Sequence, residues 1–146
     1  LEGDRSNYYH PQNSNLVAVI ETRRGLPISL ACIYMLAGDR LGFDIGGCNW
    51  PNHFYARVVI GYETMLVDCF NGGRMMDRES FLKLQGPSRE AAESIVDKPA
   101  STEAVVARVL GNLVRAYQHE SRDSESRLML ELLHALEGRS GARNQA

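Results

Sequence analysis

From Pro27 to Ala37 the chain reads Pro-Ile-Ser-Leu-Ala-Cys-Ile-Tyr-Met-Leu-Ala, with barely a polar residue in it. Proline suits a first helical position, where its missing N–H costs nothing and its fixed φ is already helical. A helix apolar on nearly every side has to be buried on most sides, so this run predicts a central core helix over 27–41. Asp39-Arg40-Leu41-Gly42 closes it, with Gly42 in the position of a C-terminal stop. The other elements have to be arranged around that helix.

After it the hydrophobic period changes. Ile45–Trp50 reads as a short strand closed by Pro51-Asn52. From His53 the alternation is clean: Phe54, Ala56, Val58 and Ile60 point one way, and His53, Tyr55, Arg57 and Val59 the other. With a turn at Gly61-Tyr62-Glu63-Thr64 and a second strand from Met65 to Phe70, residues 53–70 predict an antiparallel hairpin that ends at Asn71-Gly72-Gly73. Upstream, Leu16–Ile20, apolar and in part β-branched, reads as a short helix or a strand, with the helix favoured by entry through Asn13-Ser14-Asn15. The polar stretch before it carries Tyr8-Tyr9, the mark of an ordered arm rather than a free tail.

Downstream, residues 77–84 predict a short helix, and Gly86 to Pro99 a polar connector. Ser101-Thr102-Glu103 can cap a long helix whose apolar residues, from Val105 to Tyr117, recur at three and four. A loop over 119–124 leads to another helix carrying Leu128, Met129, Leu132, Leu133 and Leu136, stopped at Gly138 and followed by a frayed tail. The expected fold is α+β: a buried central helix packed on a small antiparallel sheet, with a C-terminal helical hairpin. The expected division is a core over 1–75, a connector with a short helix over 76–100, the helical hairpin over 101–138, and a tail over 139–146.

Composition excludes several function classes. With 146 residues, 44% of them apolar, the chain can bury one ordinary core. Sixteen Lys and Arg against 18 Asp and Glu give a net charge of −2, without the basic excess of a nucleic-acid binder, so no nucleic-acid partner is expected. No apolar run reaches the ~18–20 residues that span a bilayer, and no signal peptide opens the chain, so no membrane partner is expected. Three cysteines, an odd number, do not complete a disulfide framework, which points to a reducing, cytoplasmic compartment. The start at Leu1-Glu2-Gly3, without Met, suggests a piece of a longer protein.

Chemistry is concentrated in one place. The start of the 27–41 helix carries a partial positive charge that favours a thiolate or an oxyanion. His53 opens one predicted strand and Asp68 sits in the next, so the carboxylate can fix the tautomer of the ring. A helix-borne nucleophile, a strand-borne His and a neighbouring Asp is the layout of papain-like thiol chemistry. Ser29 lies in the first turn of the helix, and Cys32 lies one turn deeper on the same face.

Each residue also has a bland role. Ser29 can satisfy a helix-end backbone group, Cys32 can be a small buried hydrophobe, and His53 with Asp68 can order the hairpin without catalysing anything. Trp50 and Phe54 can wall the cleft or simply pack. Cys48, Cys69 and His53 lack ligand-pair spacing, so neither metal nor cofactor is expected.

The run Asn7-Tyr8-Tyr9, Pro11, Asn13-Ser14, Leu16, Val19 and Arg23-Arg24-Gly25-Leu26-Pro27-Ile28-Ser29-Leu30, then Leu41-Gly42, Pro51, His53-Phe54 and Val67-Asp68, resembles the bacterial SirB-type transglutaminase-like family. That family is a divergent branch of the transglutaminase and papain-like superfamily. The resemblance covers roughly residues 5–75. It implies the α+β thiol-protease-like fold, with a His and an Asp at His53 and Asp68. Members often continue into tetratricopeptide-like helices, and Arg108-Val109-Leu110-Gly111-Asn112-Leu113 looks like the start of one.

Active members of the superfamily carry a Cys at the start of the core helix; counting back from Leu41-Gly42 to that position lands on Pro27. Loss of the thiol is common in the SirB-type branch. The resulting expectation is a domain without its nucleophile that binds a protein or peptide. The alternative is a hydrolase or acyltransferase using Ser29, or less favourably Cys32, with His53 as base and Asp68 as orienter. A purely structural domain is a third reading. The first two differ in geometry: a working nucleophile needs His53 within about 2.6–3.2 Å of Ser29 Oγ or Cys32 Sγ.

Overall fold

A computed structural model describes residues 1–84 and 86–143 of the chain. Its elements run, in order, β1 (Glu2–Gly3), a 3-10 turn (Pro11–Ser14), α1 (Leu16–Thr22), β2 (Arg24–Gly25), α2 (Pro27–Arg40), β3 (Ile45–Cys48), β4 (Tyr55–Ile60), β5 (Glu63–Asp68), β6 (Arg74–Asp77), α3 (Arg78–Phe81), α4 (Arg89–Asp97), α5 (Thr102–His119) and α6 (Asp123–Arg143). Strands β3-β4-β5-β6 form one antiparallel sheet in sequence order, and β1 pairs in parallel with β2.

The alternation along the hairpin decides what each sheet face meets. Phe54, Ala56, Val58 and Val67 project to one side, where Leu26, Ile28 and Ala31 of the α2 start cover them. Tyr55 and Leu66 project to the other, into a second cluster with Cys48, Trp50, Phe81, Ala92 and Val96. The register Ala56 opposite Val67, and Arg57 opposite Leu66, keeps each set on its own face. The sheet is therefore covered on both sides.

Several elements depart from the sequence expectation. The chain does not leave the sheet at Asn71-Gly72-Gly73. Both glycines take positive φ (+76°), and the reversed chain adds β6, with Met75 opposite Val67 and Met76 opposite Leu66. The expected polar connector contains α4, capped by Ser88 on the Ala91 N–H at 3.4 Å. Ala92, Ile95 and Val96 form its narrow apolar stripe, and Ala92 and Val96 are buried on the second sheet face.

Helix α2 is continuously buried over Pro27–Ala31 and again at Gly38, whereas Tyr34 and Leu36 are 38% and 58% exposed. Helix α6 passes through Gly138 to Arg143, because a glycine inside a helix costs only about 1 kcal/mol and does not by itself end one. Of the expected tail, residues 144–146 lie outside the described ones. β4 begins at Tyr55, so His53 sits in the turn before the strand, after Asn52 at φ +60°.

The N-terminal arm is ordered through Asp4. Its carboxylate accepts from Ser6 Oγ (3.0 Å), the Asn7 N–H (3.0 Å) and Asn13 Nδ2 (3.2 Å). Burial pushes that carboxyl up, but these hydrogen bonds outweigh it and hold it below the ordinary carboxylate value. Asn15 caps α1 by accepting from the N–H groups of Val17 and Ala18. At the other end Ser101 caps α5, and α5 packs antiparallel to α6 as the expected helical hairpin.

The second core cluster can be tested directly. Phe81→Ala removes a fully buried ring wedged edge-on against Trp50 and Tyr55, and should lower the unfolding free energy by about 3–5 kcal/mol in urea. Tyr62→Ala, in the solvent-exposed β4–β5 turn, should change it by less than about 0.5 kcal/mol.

Candidate functional site

The site forms where the start of α2, the turn before β4 and the middle of α5 meet. No side chain caps the α2 N-terminus, because its N-cap residue is Leu26. The first-turn N–H groups therefore leave a partial positive charge at that end. Pro27 occupies the first helical position and offers no attacking group.

Ser29 is 2% exposed, and its hydroxyl donates to the Asn13 carbonyl at 2.6 Å. Cys32 packs against the first core cluster, and burial pushes its thiol above the ordinary value, opposite to what a nucleophilic thiolate needs. Neither is hydrogen-bonded to His53, so the structure does not bring the expected triad together around a nucleophile.

His53 and Asp68 do meet. Nε2 of the ring lies 2.9 Å from Asp68 Oδ1. The Asn71 N–H donates to the same oxygen at 3.1 Å, and Asn71 Nδ2 donates to Oδ2 at 2.7 Å. Burial raises the Asp68 carboxyl, but the bonds from His53 and Asn71 prevail and hold it below the ordinary carboxylate range. The ring is flanked by Tyr55 (centroids 4.4 Å apart) and by the edge of Phe70 (6.1 Å). With Nε2 committed to Asp68, Nδ1 is the nitrogen that an incoming group can meet.

Beside His53 lies a cavity of about 270 Å³. Its walls are Leu26, Pro27 and Ile28 from α2, His53 and Phe54 from the turn, Tyr8 and Tyr9 from the arm, and Arg108, Asn112 and Arg115 from α5. Phe54 lines this cavity. Trp50 does not: it is buried in the second cluster with its ring 4.7 Å from that of Phe81. Sequence reasoning missed the α5 contribution. Its signal was the spacing of Arg108, Asn112 and Arg115, four and three apart, which puts polar residues on one face of an otherwise apolar helix.

Arg108 also shapes the site. Its guanidinium donates to the Trp50 carbonyl (2.9 Å) and the His53 carbonyl (2.7 Å), fixing the turn that carries the imidazole. The three cysteines are unpaired, and burial raises the thiols of Cys48 and Cys69 to about 12 and about 11. No group of three or more His, Cys, Asp or Glu side chains that could hold a metal gathers among the described residues. None of the helices described is long and apolar enough to cross a membrane.

A helix start, a His–Asp pair and a covered antiparallel sheet meet at this site, and the comparisons with known proteins give the chain its family. Residues 1–111 match the Transglutaminase-like superfamily, and the chain belongs to it. It is 35% identical over 127 residues to a UPF0162 protein of Xylella fastidiosa, covering 82% of this chain and 45% of that one. A UPF0162 protein of Pseudomonas aeruginosa is 34% identical over 106 residues, 70% of this chain and 38% of its own. F-box only protein 21 of Homo sapiens is 26% identical over 141 residues, 91% of this chain and 22% of its own. The chain therefore spans less than half the length of these curated relatives. No solved structure matches it.

The His–Asp pair predicts a pH signature. The folded Asp68 carboxyl lies below its unfolded value of about 3.9, so its stabilisation is complete above that value and is lost as pH falls through the folded one. Asp68→Ala should lower the unfolding free energy by about 1.5–3 kcal/mol at pH 7. In urea melts, the gap between the two proteins should narrow steadily below pH 4 or so. A gap independent of pH would sink this assignment.

Proposed function

We propose that this chain is a transglutaminase-like domain of the SirB-type branch that binds a protein or peptide segment in its cleft and performs no covalent chemistry there. One observation carries the reading: Pro27 stands where active members hold a thiol, and the hydroxyl of Ser29, in the same helical turn, is held by the Asn13 carbonyl. His53 and Asp68 then act as a fixed polar wall. A ring oriented by a carboxylate and flanked by aromatic groups presents one ring nitrogen to a bound main chain. A cavity in contact with apolar Phe54 and Ile28, with polar groups around it, suits an extended segment with a small side chain.

The relatives support a modular role. The matching region makes up 45% of one relative and 22% of another, so it occurs in chains of very different length. The α5–α6 hairpin, read as tetratricopeptide-like, adds a second surface on which Leu128 and Leu132 stand exposed. The partner in this reading is a cytoplasmic protein.

Activity-based labelling tests the reading against the hydrolase alternative. A fluorophosphonate should leave Ser29 unmodified, and iodoacetamide should alkylate the buried thiols slowly and equally in native protein and His53→Ala. Labelling of Ser29 or Cys32 that disappears in His53→Ala would establish a hydrolase instead. Selection from a random-peptide display library should enrich sequences whose binding is lost in Asn112→Trp, which fills the cavity from α5. Failure to enrich any would remove the peptide-binding part.

A further inference from the structure

The charged side chains around the cavity are all of one sign. Elsewhere four arginines are paired with acids: Arg24 with Glu2, Arg78 with Asp97, Arg89 with Glu93, Arg122 with Glu125. Arg108 and Arg115 both line the cavity, no Asp or Glu does, and neither arginine takes part in an ion pair among the described residues.

Their placement carries a cost. Arg108 is half-buried, and desolvation together with Arg115 disfavours its charge. The Arg108 hydrogen bonds go to two carbonyl oxygens through one terminal nitrogen, Nη2. Its Nε–H and remaining N–H groups are left without a protein acceptor among the described residues, and a guanidinium offers five donors in all. Asn112 adds an amide on the same helix face, and Tyr8 a phenol that burial keeps protonated. Opposite them stands the uncapped start of α2. Donors and positive charge converge on the cavity from two helices and the arm, and a carboxylate is what would answer them.

We infer that this cavity is a carboxylate subsite, in which the guanidinium groups of Arg108 and Arg115 hold the C-terminal carboxylate of the bound peptide. The planar two-oxygen group matches the guanidinium fork, which a neutral amide does not. The inference rests on the peptide-binding reading of the cleft and adds to it the chemistry of the ligand. A tetrahedral phosphate shares the charge, so the test separates the two.

The 15N-labelled chain is titrated with N-acetyl-tetra-alanine bearing a free C-terminal carboxylate, with the same peptide as its C-terminal amide, and with inorganic phosphate. The free acid should shift the amide resonances of Leu26, Ile28, Ser29, His53, Phe54 and residues 108–116, and the amide should bind about tenfold or more weakly. Arg108→Gln should lose that preference. Because Arg108 also holds the Trp50 and His53 carbonyls, Arg115→Gln provides the second variant: its exposed side chain holds no part of the fold, and it should weaken the acid severalfold while leaving the amide unchanged. Equal binding of acid and amide at the cavity overturns the carboxylate subsite and leaves the peptide-binding reading standing. Phosphate binding more tightly than the acid overturns the choice of carboxylate. If no probe shifts the cavity resonances, the subsite falls, and the display selection alone decides the peptide-binding reading.

Discussion

The cleft depends on the satisfied polar groups of one buried side chain and its carbonyl. Asn13 donates from Nδ2 to the Asp4 carboxylate (3.2 Å) and to the Asn7 carbonyl (2.8 Å), and its own carbonyl accepts from Ser29 Oγ. The Leu26 N–H reaches the same carbonyl at 3.4 Å. The N-terminal arm, the 3-10 turn and the start of α2 are thus held by one residue. In a buried setting each of these groups would be expensive to leave unpaired, by about 1–3 kcal/mol apiece. That network puts Tyr8 and Tyr9 on the cleft wall, and it makes Ser29 a structural donor.

Charge is distributed in the same spirit. Acids near the sheet are held by specific donors, Asp4 by the arm and Asp68 by His53 and Asn71, so both stay ionised despite burial. Four arginines, Arg24, Arg78, Arg89 and Arg122, answer exposed acids. Only small energies attach to those surface pairs, of the order of 0–1 kcal/mol each, and their role is solubility more than stability. The cleft wall on α5 is organised differently, with donors in excess of acceptors. A scaffold can keep a His–Asp pair and a helix dipole at a site after losing the nucleophile, because recognition of a polar group needs the same orientation of donors as stabilising a developing charge does.

How much could be read in advance follows the strength of local signals. Pro27 at the helix start, the period-two run from Phe54 to Ile60 and the Ser101 cap each have one physical solution, and each element appears where its pattern lies. The His53–Asp68 contact was legible for the same reason, since a short hairpin leaves the two side chains little else to approach. Strand β6 was not, because Arg74-Met75-Met76-Asp77 has no alternation; its pairing depends on the double-glycine reversal and on Val67 and Leu66 waiting opposite. Helix α4 hid behind charges, with an apolar stripe only three residues wide. Trp50 looked like a cleft residue by its nearness in sequence to His53, yet its ring packs edge-on against Phe81 inside the second core cluster, away from the cavity lining. The α5 side of the cleft lies 55 residues from His53 along the chain, and no local pattern announces a contact across that distance.

That distant contact ties two motions into one coordinate. The carbonyls of Trp50 and His53 hang from a single guanidinium on α5, so a slide or tilt of the helical hairpin pulls on the backbone that aims the imidazole. The aim of the imidazole at the cleft is therefore set by a helix that joins the chain 55 residues later.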